Sequence, residues 1–131
     1  MKSIIQILCV LTILSLVMLS CKSGAEASGL QNINVSQLAK LKVDFPELVI
    51  VDVRTPKEIA GGKIDENALE IDFKDGSFDS NISKLDKNNT YLIYCKSGGR
   101  SSKSTKKMIA AGFKNVYNLE GGYSEWSSSK N

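Results

Sequence analysis

Cys95 closes the apolar run Tyr91-Leu92-Ile93-Tyr94 and is followed by Lys96-Ser97-Gly98-Gly99-Arg100-Ser101. A thiol, two glycines and a guanidinium this close together suit a nucleophile held in an anion cradle. If a strand ends near Cys95 and a helix begins near Ser101, the turn points its amide hydrogens inward, in line with the helix N-terminus. Gly98 and Gly99 take positive φ without steric cost, as an inward-facing ring of amides requires. Such a ring stabilises an anion, so the Cys95 thiol is expected below the free value of about 8.5. Arg100 supplies a planar, permanently charged fork for an oxyanion, and Lys96 a second cation at the rim. The bland alternative is a buried cysteine before a flexible turn.

Composition narrows the chemistry. Histidine is absent from all 131 residues. That removes Ser-His-Asp and Cys-His catalysis and every zinc site that needs imidazole. The three cysteines, Cys9, Cys21 and Cys95, are too far apart for an all-thiolate metal site, so no metal or cofactor is expected. A net charge of +3 is too mild to suggest a nucleic-acid partner. Locally the picture differs: residues 96–107 contain five basic residues and no acidic one, a patch suited to small anions.

The N-terminus reads as a targeting segment. A short cationic start leads into an apolar stretch from Ile4 to Leu19, too short for a comfortable membrane span and suited to a signal-peptide core. Cys21 follows at once, ahead of a small, polar tether. The arrangement resembles a bacterial lipoprotein signal with Cys21 as the lipidated residue, although Met18 and Leu19 depart from the usual residues there. Cleavage after Ala27, or an uncleaved anchor, are the alternatives. Export by any of these routes leaves Cys95 as the one thiol of the mature domain. In an oxidising compartment a lone thiol is either reactive or a buried passenger.

The elements that must position Cys95 come next. Residues 33–35 read as a short strand, followed by a helix capped by Ser36. The β-branched run 48–53 and the run 90–95 read as strands buried on both faces. Thr55-Pro56-Lys57-Glu58 combines a capping box with a proline at the first helical position, and Gly61-Gly62 ends that helix. Residues 68–73 and 115–119 read as further strands. Residues 78–85, 101–112 and 121–126 read as helices. Strands separated by single helices imply parallel pairing and a three-layer α/β domain, with the ligand site beyond the carboxyl ends of the strands. Cys95 lies at such an end, and this placement favours the nucleophile over the passenger.

The segments "VIVDVRTPKEIAGGKI" (49–64), "LIYCKSGGRS" (92–101) and "GFKNVYNLEGGYSEW" (112–126) resemble the signature segments of single rhodanese domains. The resemblance covers roughly residues 32–128. It implies a sulfurtransferase on a five-stranded, mainly parallel sheet with helices on both faces. It also implies that Cys95 attacks the outer sulfur of thiosulfate or a similar anionic donor and carries it as a persulfide to a thiol or cyanide acceptor. Lys96, Ser97, Gly98, Gly99, Arg100 and Ser101 form the expected binding loop, with Arg100 on the sulfonate. Asp52 and Arg54 read as a structural ion pair, and Tyr123 and Trp126 as packing residues. One departure stands out: "GKIDENA" replaces the family's "GHIPGA", with Lys63 in place of the histidine.

Related cysteine–arginine phosphatases and arsenate reductases place five residues between the two groups. Here four intervene, a smaller ring that suits one sulfur atom. A non-catalytic binding module and a persulfide carrier in a redox relay are the other readings. The expected organisation is a signal peptide 1–20, a tether 21–31, a domain 32–128 and a tail 129–131. The protein is expected to be an exported, monomeric bacterial protein, periplasmic or membrane-anchored through Cys21. Its expected partners are a small anionic sulfur donor and a thiol acceptor or redox protein.

Overall fold

The structure, a computed structural model, describes residues 29–131. The signal segment, Cys21 and the cleavage point after Ala27 lie outside the described residues.

From Gln31 the chain alternates strand and helix. The order is β1 (Gln31–Ile33), a 3-10 turn (Val35–Gln37) running into α1 (Leu38–Asp44), β2 (Val49–Asp52), α2 (Pro56–Ile59) and β3 (Leu69–Glu70). It continues with α3 (Phe78–Ile82), β4 (Thr90–Tyr94), α4 (Gly99–Ala110), β5 (Asn115–Leu119) and α5 (Gly122–Ser128). The sheet order is β1-β5-β4-β2-β3 and every pairing is parallel. The expected three-layer α/β architecture with a five-stranded sheet is what the chain adopts.

Strand alternation sends side chains into two cores. Val51, Val53, Tyr91, Ile93 and Cys95 pack with Phe78, Ile82 and Met108 from α3 and α4. Ile50, Leu92, Tyr94 and Leu119 pack on the opposite face with Leu38 and Leu41, and Trp126 of α5 lies against them. β4 is the central strand, paired to β2 and β5, and Leu92, Ile93 and Tyr94 are each 0% exposed. Leu92 and Ile93 each contribute about 1.5–3 kcal/mol through burial, so the strand that leads to Cys95 is anchored in the core.

Several boundaries differ from the sequence expectation, each for a physical reason. β1 begins at Gln31, inside the stretch assigned to the tether, because it pairs in register with Tyr117 to Leu119. The first cap is Asn34, not Ser36. Asn34 Oδ1 accepts from Gln37 N–H and Gln37 Oε1 accepts from Asn34 N–H, a reciprocal box in which Asn replaces Ser. β3 shrinks to two exposed residues because it is an edge: Ala68 and Ile71 are buried while Leu69 and Glu70 face out, which breaks strand alternation. α3 ends at Ile82. α4 begins at Gly99, two residues before Ser101. Gly98 adopts φ +102, lets the chain turn at once, and serves as its N-cap. Gly99 has helical backbone and does not use the positive φ expected of it. The capping box at Thr55, with Pro56 behind it, forms as the sequence indicates.

Candidate active site

β4 delivers Cys95 to the carboxyl edge of the sheet, and Gly98 folds the chain back over it. The Gly98 N–H donates to Cys95 Sγ at 3.1 Å, and the Ser101 hydroxyl stands 3.5 Å from the same sulfur. That hydroxyl is also 3.1 Å from the Gly98 carbonyl. It has one hydrogen, and a thiolate is a stronger acceptor than a carbonyl, so ionisation of Cys95 draws the Ser101 O–H onto sulfur. Cys95 is only 1% exposed. Burial alone would push the thiol up; the Ser101 hydroxyl and the amides of Ser101, Ser97 and Gly98 outweigh it and bring the thiol below its ordinary value. Both opening readings therefore hold part of the truth: the cysteine is buried, and its sulfur is solvated by the turn.

The loop is fastened from behind. α5 begins with Gly121 and Gly122, both at positive φ, and its first amides face the end of β4. Tyr123 N–H donates to the Cys95 carbonyl at 2.8 Å and Ser124 N–H to the Lys96 carbonyl at 2.9 Å. These are helix-start donors that would otherwise lack partners, and here they fix the backbone on either side of the sulfur.

The Arg100 guanidinium faces Glu58. Its two terminal nitrogens donate to the two Glu58 oxygens at 2.6 and 2.8 Å. Thr55 N–H and its hydroxyl donate to the same carboxylate at 3.0 and 2.9 Å. Glu58 thus caps α2 and clasps α4 at once. Its carboxyl is held far below the usual carboxylate range, first by the Arg100 guanidinium and, against the opposing effect of burial, by Thr55. Sequence reasoning saw Glu58 only as a cap; no local signal joins it to a residue 42 positions later.

Asp52 and Arg54 form the expected ion pair, and it is buried: Asp52 is 0% and Arg54 2% exposed. Arg54 Nη2 donates to Asp52 at 2.7 Å and to the Gly62 carbonyl at 2.7 Å. The guanidinium carbon sits 4.2 Å from the Tyr123 ring centroid. One side chain therefore joins β2, the turn after α2, and α5. Tyr123, read from the sequence as packing, also borders the site. With Arg54, Glu58 and Lys96 it lines a cleft of about 230 Å³ beside the cysteine loop. Trp126, partly buried, packs against the core as a packing residue would.

The cationic patch is less bare than the sequence implies. Lys107 pairs with Asp79 and Arg100 with Glu58, whereas no ion pair among the described residues includes Lys96, Lys103 or Lys106. Lys96, Ser97 and Gly99 are exposed on the outside of the turn. Lys63, the departure from the family's histidine, ties down its own loop, donating to Glu70 at 2.8 Å and to the Glu66 carbonyl at 3.1 Å. Among the described residues no cluster of His, Cys, Asp or Glu could hold a metal ion, and no helix is long and apolar enough to cross a membrane.

Comparison with known proteins agrees with this fold. The family model of the rhodanese-like domain matches residues 34–129. A sulfurtransferase of Allochromatium vinosum is 33% identical over 95 residues, covering 72% of this chain and 86% of the relative. A putative sulfurtransferase of Bacillus subtilis is 36% identical over 87 residues, covering 66% of this chain and 80% of the relative. The crystal structure of a rhodanese-like domain protein from Staphylococcus aureus superposes with a TM-score of 0.65 at 33% identity, covering 74% of this chain and 91% of that one.

Proposed function

Because the chain belongs to the rhodanese-like domain family, we propose that it is a sulfurtransferase carrying sulfane sulfur as a persulfide on Cys95. The observation that carries this reading is the Gly98 N–H on Cys95 Sγ at 3.1 Å, with Ser101 poised beside it. A sulfur already solvated as an anion needs no general base, which suits a chain without histidine.

With thiosulfate as donor, the Cys95 thiolate attacks the outer sulfur. A new S–S bond forms as the bond to the sulfonate sulfur breaks, and sulfite leaves with the electron pair. The product persulfide is again an anion and rests in the same ring of amides, Lys96 to Ser101. An acceptor thiolate or cyanide then attacks the outer persulfide sulfur, and the Cys95 thiolate is released. Lys96 draws anionic donors to the cleft, which is also lined by Glu58, the partner of Arg100. The acceptor is a small thiol or a redox partner protein.

The segment before the domain extends the proposal: residues 1–20 direct export and Cys21 carries the lipid that holds the domain at a membrane. Mass spectrometry of the mature N-terminus tests this, and a chain starting at Ser28 would reject it. For the activity, thiocyanate formation from thiosulfate and cyanide is compared in wild type and Cys95→Ser. The wild type is expected to turn over and the variant to be inactive; equal rates would sink the assignment. Cys95-dependent hydrolysis of a phenyl phosphate ester without sulfur transfer would point to a phosphatase instead.

A further inference from the structure

The cations around the cysteine loop are unequal. Arg54 is compensated by Asp52 at 2.7 Å and Arg100 by Glu58 at 2.6 Å, while Lys96 has no carboxylate partner among the described residues. Glu58 and Lys96 line the same cleft. A dianion entering it therefore meets one uncompensated ammonium and a carboxylate that already occupies the Arg100 fork. To use Arg100, a sulfonate must compete with Glu58 for a bidentate site in which Thr55 adds two further donors. Repulsion from Glu58 also acts twice as strongly on a dianion as on a monoanion.

We propose that Glu58 is a specificity-determining residue: it holds the Arg100 fork out of donor recognition and so disfavours dianionic donors such as thiosulfate relative to persulfides of low net charge. The inference rests on the sulfurtransferase reading and names the donor class of that site. Specificity here arises from a repulsive group as much as from an attractive one.

Glu58→Gln removes the charge and keeps a side chain that still closes the capping box with Thr55. Transfer to cyanide is measured from thiosulfate, a dianion, and from cysteamine persulfide, which carries no net charge. Thiosulfate kcat/KM is expected to rise about fivefold, mainly through KM, with the gain shrinking in high salt. Cysteamine persulfide is expected to change less than about twofold, and Glu58→Asp to keep the wild-type ratio of donors. In Glu58→Gln/Arg100→Gln the thiosulfate gain is expected to vanish, because the freed fork is gone. An unchanged donor ratio in Glu58→Gln, or a gain that survives loss of Arg100, overturns the inference. Absence of Cys95-dependent transfer from both donors in wild type instead sinks the sulfurtransferase reading. Sulfite binding by calorimetry then still decides on Glu58: tighter binding to Glu58→Gln supports the inference, and equal binding rejects it.

Discussion

The Gly98 N–H points at Cys95 Sγ across 3.1 Å, from a backbone at a positive φ of +102 that glycine adopts without strain. Backbone shape, more than any neighbouring side-chain charge, is what turns a buried thiol into a solvated sulfur.

The first prediction concerns pH. The Cys95 thiol titrates below its ordinary value, opposed by burial and lowered by Ser101, Ser97 and Gly98. The rate of alkylation by iodoacetamide should therefore reach its midpoint at a lower pH than in a free cysteine. Ser101→Ala should move that midpoint upward. The folded-state thiol is the stronger acid, so its thiolate adds stability above the unfolded value of about 8.5, and the gain is lost as pH falls through the folded value. Cys95→Ser should accordingly lag wild type in urea midpoint by more at pH 9 than at pH 6. A midpoint in Ser101→Ala at or below that of wild type would remove the hydroxyl from the account.

The second concerns the buried pair. Asp52→Asn leaves Arg54 charged at 2% exposure with its main partner neutralised. Breaking one side of a buried pair costs about 3–5 kcal/mol, and urea unfolding should show a loss in that range. A loss below about 1 kcal/mol would mean that Arg54 does not hold β2, the turn after α2 and α5 together.

A third prediction tests the backing of the loop. Gly122 has φ +54, and a Cβ there would collide with the carbonyls of Cys95 and Lys96. Gly122→Ala should destabilise the fold by about 2 kcal/mol or more and slow Cys95 alkylation, because the collision is with backbone that cannot swing aside. Wild-type melting and alkylation in this variant would show that α5 does not brace the site.

The fourth runs in the opposite direction. Thr105, one helical turn beyond Ser101, is 0% exposed, and its Oγ1 has no hydrogen-bond partner among the described residues. Thr105→Val removes an unsatisfied hydroxyl while nearly keeping its shape, and should raise stability by about 1 kcal/mol. Thermal unfolding decides; a fall in melting temperature would reveal a partner for that oxygen.

Local rules made most of the elements legible. The β-branched runs gave β2 and β4, Thr55-Pro56 placed α2, and Asn115–Leu119 is a strand from end to end. Asn34 took the first cap by a local exchange with Gln37, but the other failed boundaries were decided by distant contacts. β3 is short because an edge strand has one partner, and α4 starts early because Gly98, packed beside Gly121, turns the chain at φ +102. The tether lost Gln31 to β1 because its pairing partner Tyr117 lies far along the chain.

The candidate site divides the same way. Cys95, its glycine turn and the spacing to Arg100 are written within a few residues, and histidine is absent from the whole chain, so the sequence by itself determined the local setting of the thiol. The tertiary structure alone decided what Arg100 faces, which helix braces the Cys95 carbonyl, and that Lys96 is the uncompensated cation of the cleft. Those facts depend on Glu58 meeting Arg100 and on Gly122 meeting Cys95, contacts between segments that only the packed parallel sheet brings together. Hydrogen-bonding and steric preferences of neighbouring residues can be read along a chain; the sign of the field in a cleft depends on which distant charges arrive there.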